Sequence, residues 1–206
     1  MDAVQNLHRL DRSLLESFMV SCQGVRLLAG PGYPGVDFPA EDIGRVLDVV
    51  GANYRAVIVD CSTRCDAAAR IVYQRCEAAL LVAQTDAVSL WSAARIREFL
   101  VEGGDADKLS LVINRHRSNT SLPEKEIEAT TQMPITCKVP NQFQQVAKAI
   151  DRGSPAGLGN SELARCFQEL AAQLLPGPMP KLGDSADKKE RPHRILERLL
   201  NLSPAR

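Results

Sequence analysis

Three stretches of this sequence carry side chains whose type and spacing could do chemistry. Gly30, Gly32 and Gly35 spell G-x-G-x-x-G directly after the apolar run Val25–Ala29, and Asp60 closes the next such run, as a dinucleotide turn and its ribose-binding acid would. Pro31 and Pro34, however, remove two of the amides such a loop presents to a pyrophosphate. Pro39 delays the next helix to about Ala40, so no helix N-terminus meets the last glycine and the stretch reads as a proline-stiffened loop. The second stretch, Arg55–Asp60, is an apolar strand pattern ending in a carboxylate. At the carboxyl edge of a sheet that carboxylate can hold Mg²⁺ through a bound water; equally, it can cap the following helix. The third is Leu111–Arg115 followed by Lys138-Val139-Pro140-Asn141. The Asn114 carboxamide can pair with both a ring nitrogen and the amino group of adenine, or simply close a turn.

The elements that must position these residues follow from hydrophobic patterning. Val25–Ala29, Ala56–Asp60, Ala79–Ala83, Leu109–Asn114 and Pro134–Val139 read as near-continuous apolar strands, the pattern of parallel strands covered on both faces. Between them, Ile43, Val46, Leu47 and Val50 repeat at i, i+3, i+4, i+7, as do Phe143, Val146, Ala147 and Ile150, and each face is expected to pack on the sheet. An opening helix over about 2–20 is capped by Asp11, a helix from about Asp86 ends at Gly103-Gly104, and another over about 160–175 stops at Pro176. The expected fold class is α/β, a doubly wound, mostly parallel sheet with helices on both faces.

Composition narrows the function classes. In 206 residues, 25 Lys+Arg balance 25 Asp+Glu, which argues against a chain that coats nucleic acid. Only 4% of residues are aromatic, so Leu, Val, Ile and Ala must build the core. There is no secretory signal and no window of about 18 apolar residues, so the expected location is cytoplasmic. The six cysteines (22, 61, 65, 76, 137, 166) contain no C-x-x-C pair and the three histidines (8, 116, 193) are scattered; no direct metal ligand set is expected, and the thiols read as buried or idle.

Taken in order, Tyr54–Asp60, Ala79–Thr85 with Asp86–Ser89, Leu111–Arg115, Val139-Pro140 and Val146–Pro155 resemble the later two-thirds of a MinD/ParA-type ATPase, whose series runs "YD-x-V-V-x-D", "L-V-x-x-x-x-S", "L-V-x-N-R" and "P-x-x-x-x-V-x-x-A-x-x-x-G-x-P". Within that superfamily Leu7–Leu15 and Val25–Ala29 look most like the CpaE/TadZ branch, associated with pilus assembly and polar placement. The resemblance spans about residues 1–175. It implies a P-loop NTPase-like fold, ATP and Mg²⁺ as cofactors, Asp60 as the Walker B acid that holds Mg²⁺ via water, and Asn114, Arg115, Pro140 and Asn141 on the adenine side. It also implies a homodimer closed through the nucleotide face.

A P-loop requires Gly-Lys-Ser/Thr, and none of the seven lysines (108, 125, 138, 148, 181, 188, 189) follows a glycine. On the resemblance, the sequence starts after the P-loop strand and switch I, so the domain is expected to lack that strand. Without loop amides and lysine nothing compensates the triphosphate charge, and this polypeptide alone should not hydrolyse ATP. A truncated ATPase and a P-loop-less paralogue both fit.

Residues 176–192 have linker composition, and 193–202 place Ile195, Leu196, Leu199 and Leu200 on one helical face flanked by Arg194 and Arg198. Residues 181–206 carry seven Lys+Arg and four Asp+Glu, leaving 18 against 21 for residues 1–180, so the neutral total is a cancellation. This segment resembles the membrane-targeting helix of MinD-type proteins, which would bring the protein to the inner face of the cell membrane; a helix that packs on the domain or on a partner is the alternative. Three functions follow: a CpaE/TadZ-like pilus-assembly or positioning factor, a non-catalytic scaffold derived from the same fold, and a Rossmann-type oxidoreductase using Gly30–Gly35.

Overall fold

The structure, a computed structural model, describes residues 2–22, 24–30, 37–102, 104–118, 122–153 and 161–175. It divides at Asp60/Cys61 into two compact units.

The first unit is helical with one hairpin. The opening helix is not continuous: it is α1 (Asp2–Gln5), a 3-10 turn (Leu7–Arg9) and α2 (Arg12–Ser17). The break has a local cause. Asp11 is extended and its side chain accepts from the Leu14 amide at 2.8 Å, so it starts a new helix instead of continuing the old one. Val25–Ala29 is also not the buried parallel strand expected. Val25–Leu27 (β2) pairs antiparallel with Val20–Cys22 (β1) across a turn at Gly24, whose φ of 82° only glycine takes without strain. All three β2 residues are exposed, because a two-stranded ladder buries neither face.

Helix α3 (Ala40–Asn53) begins immediately after Pro39, with Glu41 and Asp42 in its first turn where they complement the helix dipole. Within this unit it packs on α1, the 3-10 turn and α2. Leu15 and Val50 are buried, and the Tyr54 hydroxyl reaches Met19 Sδ at 3.2 Å, fastening the end of α3 to the residue before β1. The unit ends in Ala56–Asp60, which belongs to no strand. Val57 and Val59 are 43% exposed and Ile58 95%, so this run is a strand in pattern only.

The second unit holds a parallel sheet of order β3-β4-β5: β3 (Ala79–Ala83), β4 (Leu109–His116) and β5 (Ile135–Pro140). Ala79 pairs with Leu109 and Ala83 with Ile113, and on the other side Leu111 pairs with Ile135. The middle strand is covered on both faces, as its unbroken apolar run requires. On one face Leu109, Leu111 and Ile113 meet Tyr73 of α4 (Ala67–Arg75), Leu90, Ala93 and Leu100 of α5 (Ala87–Val101), and Ile127 of α6 (Glu124–Thr131). On the other, Val112 and Val139 meet Leu163 of α8 (Glu162–Leu174) and Val146 of α7 (Phe143–Asp151). Each fully buried Leu or Ile contributes roughly 1.5–3 kcal/mol, and Leu111 and Ile113 sit at the centre.

Helix starts in this unit are built from short polar side chains. Asp66, Asp86 and Ser161 accept from the amides of Ala69, Ser89 and Ala164 at 2.9, 2.9 and 3.1 Å. The end of α4 is closed by Lys108, whose Nζ donates to the carbonyls of Tyr73, Gln74 and Cys76 and stands over the Tyr73 ring. Helix α7 departs from expectation: Val146 packs inward, but Phe143 and Ile150 are exposed. The chain around 31–36, which includes Gly32 and Gly35, and the segment from 176 on, which includes the expected linker and the 193–202 helix, lie outside the described residues.

Candidate functional site at the carboxyl edge of β4 and β5

Asn114, Arg115, Pro140 and Asn141 come together at one edge of the sheet because β4 and β5 run parallel and end side by side, with His116 paired to Pro140. The ladder is irregular just before that pair. Ile113 pairs with Lys138 and His116 with Pro140, so Asn114 and Arg115 stand opposite Val139 alone. This is a β-bulge, a device that turns side chains out of the regular alternation. Arg115 takes the left-handed conformation, with φ of 53°, and the Asn114 carboxamide oxygen accepts the Arg115 amide at 2.9 Å, which holds the bulge. Asn114 is half-buried and Arg115 exposed.

Opposite them, the Asn141 amide donates to the His116 carbonyl at 3.0 Å and the Gln142 amide to the Pro140 carbonyl at 2.9 Å, so β5 turns sharply into α7. With its carboxamide oxygen turned to Arg117, Asn141 accepts from Nε at 2.9 Å and Nη2 at 3.1 Å. Gln142 Nε2 donates to Glu162 Oε2 at 3.0 Å, joining this edge to the start of α8. On the flank, Lys138 pairs with Glu124, and that hydrogen bond holds the Glu124 carboxyl below the usual carboxylate range. Two carboxamides, Asn114 and Asn141, and two guanidinium groups, Arg115 and Arg117, thus share one edge. Arg117, His116 and Gln142 had no motif to mark them.

The described residues of the second unit therefore form a parallel sheet with a polar edge at its strand ends, the position at which open α/β sheets bind ligands. The structure superposes on the crystal structure of a ParA family ATPase from Chlorobium tepidum TLS with a TM-score of 0.75 at 20% identity, over 82% of this chain and 73% of that one. The fold is that of the ParA and MinD ATPases. The same ParA/MinD fold links it to the MinD cell division protein of Aquifex aeolicus (TM-score 0.65, 19% identity, 86% of this chain and 80% of that chain). The cell division ATPase MinD of Pyrococcus furiosus gives a TM-score of 0.63 at 20% identity, over 82% and 73% of the two chains. No protein-family model matches the sequence, and no curated protein matches it.

In this ParA/MinD fold an adenine base beside Asn114 would meet a carboxamide whose oxygen, already accepting the Arg115 amide, has one lone pair left and whose Nδ2 is a donor by type. No Gly-Lys-Ser/Thr, which would meet a triphosphate, occurs in the 206 residues. Among the described residues no three His, Cys, Asp or Glu side chains cluster as a metal site. Asp60 is exposed at the end of the first unit, and the carboxylate that caps α4 is Asp66, not Asp60.

Two other expectations meet the structure here. Cys61 and Cys65 are exposed, whereas Cys76, Cys137 and Cys166 are half-buried, so burial does not describe all the thiols. Among the described residues no helix is long and apolar enough to cross a membrane. Ile195, Leu196, Leu199, Leu200, Arg194 and Arg198 lie outside them.

Proposed function

We propose that this chain is an assembly or positioning factor of the CpaE/TadZ kind, which uses the ParA/MinD fold to bind partners and does not itself hydrolyse ATP. The observation that carries the reading is the mismatch within one site: a base-side edge with Asn114 and Asn141 at the strand ends, and no lysine after a glycine anywhere in the sequence to meet a triphosphate. Electrostatic compensation of the phosphates supplies most of the catalysis in phosphoryl transfer. Its loss removes turnover while leaving a folded surface. The pilus or polar role rests on the sequence likeness of Leu7–Leu15 and Val25–Ala29.

The direct test is phosphate release from Mg·ATP by the purified 206-residue chain, alongside calorimetric titration with Mg·ATP and adenosine. Release at the buffer rate is expected, and steady turnover would defeat the proposal. A nucleotide-free scaffold is the second reading, favoured by the Asn114 oxygen being engaged by the Arg115 amide. Measurable Mg·ATP affinity that Asn114→Ala abolishes would exclude it. In the host, a fluorescent fusion is expected to form polar foci and deletion to reduce pilus number; unchanged pili would remove the CpaE/TadZ assignment. A homodimer and attachment of the basic segment 188–206 to anionic membrane complete the proposal, tested by sedimentation and by flotation with anionic vesicles.

A further inference from the structure

Cys137 lies in β5 and Cys166 in α8, and their sulfurs stand 3.2 Å apart. The two elements meet independently of the thiols. Leu163 of α8 packs with Val112 and Val139, and Gln142 of the β5–α7 turn bonds Glu162 at the start of the same helix. Packing of helix on strand therefore brings the sulfurs together in the reduced chain. Both cysteines line a cleft of about 390 Å³ shared with Lys138, Arg165, Glu162 and Glu169, so a small oxidant reaches them. The cleft carries two cations and two carboxylates, so its charge selects neither an anionic nor a cationic reagent.

We propose that Cys137 and Cys166 form a redox modification site, closed to a disulfide by a low-molecular-weight disulfide of the glutathione class. Cys137, as thiolate, attacks one sulfur of glutathione disulfide. The S–S bond breaks, and the departing glutathione thiolate takes up a proton equivalent to the one Cys137 lost. Cys166 then gives up its proton and attacks the Cys137 sulfur, expelling the second glutathione. Two protein thiols are oxidised by two electrons and one glutathione disulfide is reduced to two glutathiones. Burial, with the hydrogen bond of the neutral Cys166 thiol to Cys137 next, pushes the Cys166 thiol up to about 12, so Cys166 is the resolving thiol and closure accelerates with rising pH. The bridge would join α8 covalently to the strand that ends at Pro140, just before Asn141 and the polar edge. This inference stands whether or not that edge binds a nucleotide.

The full chain is incubated with glutathione disulfide at about pH 7 and about pH 9, alkylated, and digested without reductant for mass spectrometry. The exposed Cys61 and Cys65 report that the reagent has acted. The expected product is one peptide pair joined through Cys137 and Cys166, lighter by two hydrogens, free of glutathione at both positions and formed faster at the higher pH. Trypsin cleavage at Arg165 should slow in the bridged chain. Cys137→Ser and Cys166→Ser each abolish the joined pair. Alkylation of both Cys137 and Cys166 in wild type after Cys61 or Cys65 has taken up glutathione would overturn the proposal, as would stable separate glutathione adducts on both; neither result depends on the variants folding.

Discussion

Ala56–Asp60 and Leu109–His116 are both apolar, β-branched runs that close on a side chain suited to a ligand, yet the chain uses them in opposite ways. Leu109–His116 has a strand hydrogen-bonded on each side and helices on each face, and Leu109, Leu111 and Ile113 are almost fully buried. Ala56–Asp60 pairs with nothing that makes it a strand, and Ile58 is 95% exposed. The difference is not composition. A strand is stabilised by the ladder and cross-strand contacts it shares with neighbours, so the same pattern gives a buried strand or an irregular segment according to what lies beside it.

The largest effect that could break this comparison is a pair of truncations. Leu111→Ala should cost about 2–5 kcal/mol by urea unfolding, whereas Ile58→Ala should stay within about 0.5 kcal/mol. An equal loss at Ile58 would mean that the 56–60 run is buried in solution and that the two regions are alike. Next in size is Lys108→Met, which removes a donor to three carbonyls at the end of α4 and should cost about 1–3 kcal/mol. A variant as stable as wild type would show that water replaces the lysine there.

The smallest effect is a pH dependence. The Asp86 carboxylate accepts the Ser89 amide and hydroxyl at 2.9 and 2.7 Å, and these bonds hold its carboxyl below the usual carboxylate range. Its folded-state value is depressed, so its stabilisation is present above the ordinary aspartate range and is lost as pH falls through the folded value. Melting temperature should therefore drop on acidification by more in wild type than in Asp86→Asn, which keeps an α5 cap without the charge. Parallel curves for the two proteins would remove Asp86 from the acid response.

Several elements are legible in the sequence because their signals are local. Asp86 and the apolar run after it mark α5, the i, i+3, i+4, i+7 spacing marks α3 and α7, and Ala79–Ala83 is a strand with the bounds its sequence suggests. The strands that lead to Asn114 and Asn141 are legible too, but their ends are not: β4 runs two residues past Asn114 to His116, and β5 ends at Pro140 rather than Val139. The hairpin of Val20–Cys22 with Val25–Leu27 is not, because the apolar reading of Val25–Ala29 contains nothing about its partner or its direction. Nor is the exposed face of α7: periodicity says which residues share a side, not what that side meets.

The amino-acid sequence by itself determined the α/β alternation, the helix caps and the lack of a phosphate-binding Gly-Lys-Ser/Thr, each a property of residues within a few positions of one another. Tertiary structure decided the rest. The bulge at Asn114 and Arg115 arises from a register shift between two strands, and the Asn141–Arg117 pairing needs both strand ends in place. The Cys137–Cys166 contact needs α8 to lie on β5. Each of these joins residues far apart in the chain, and their approach is set by how the sheet and helices pack, which no local pattern encodes.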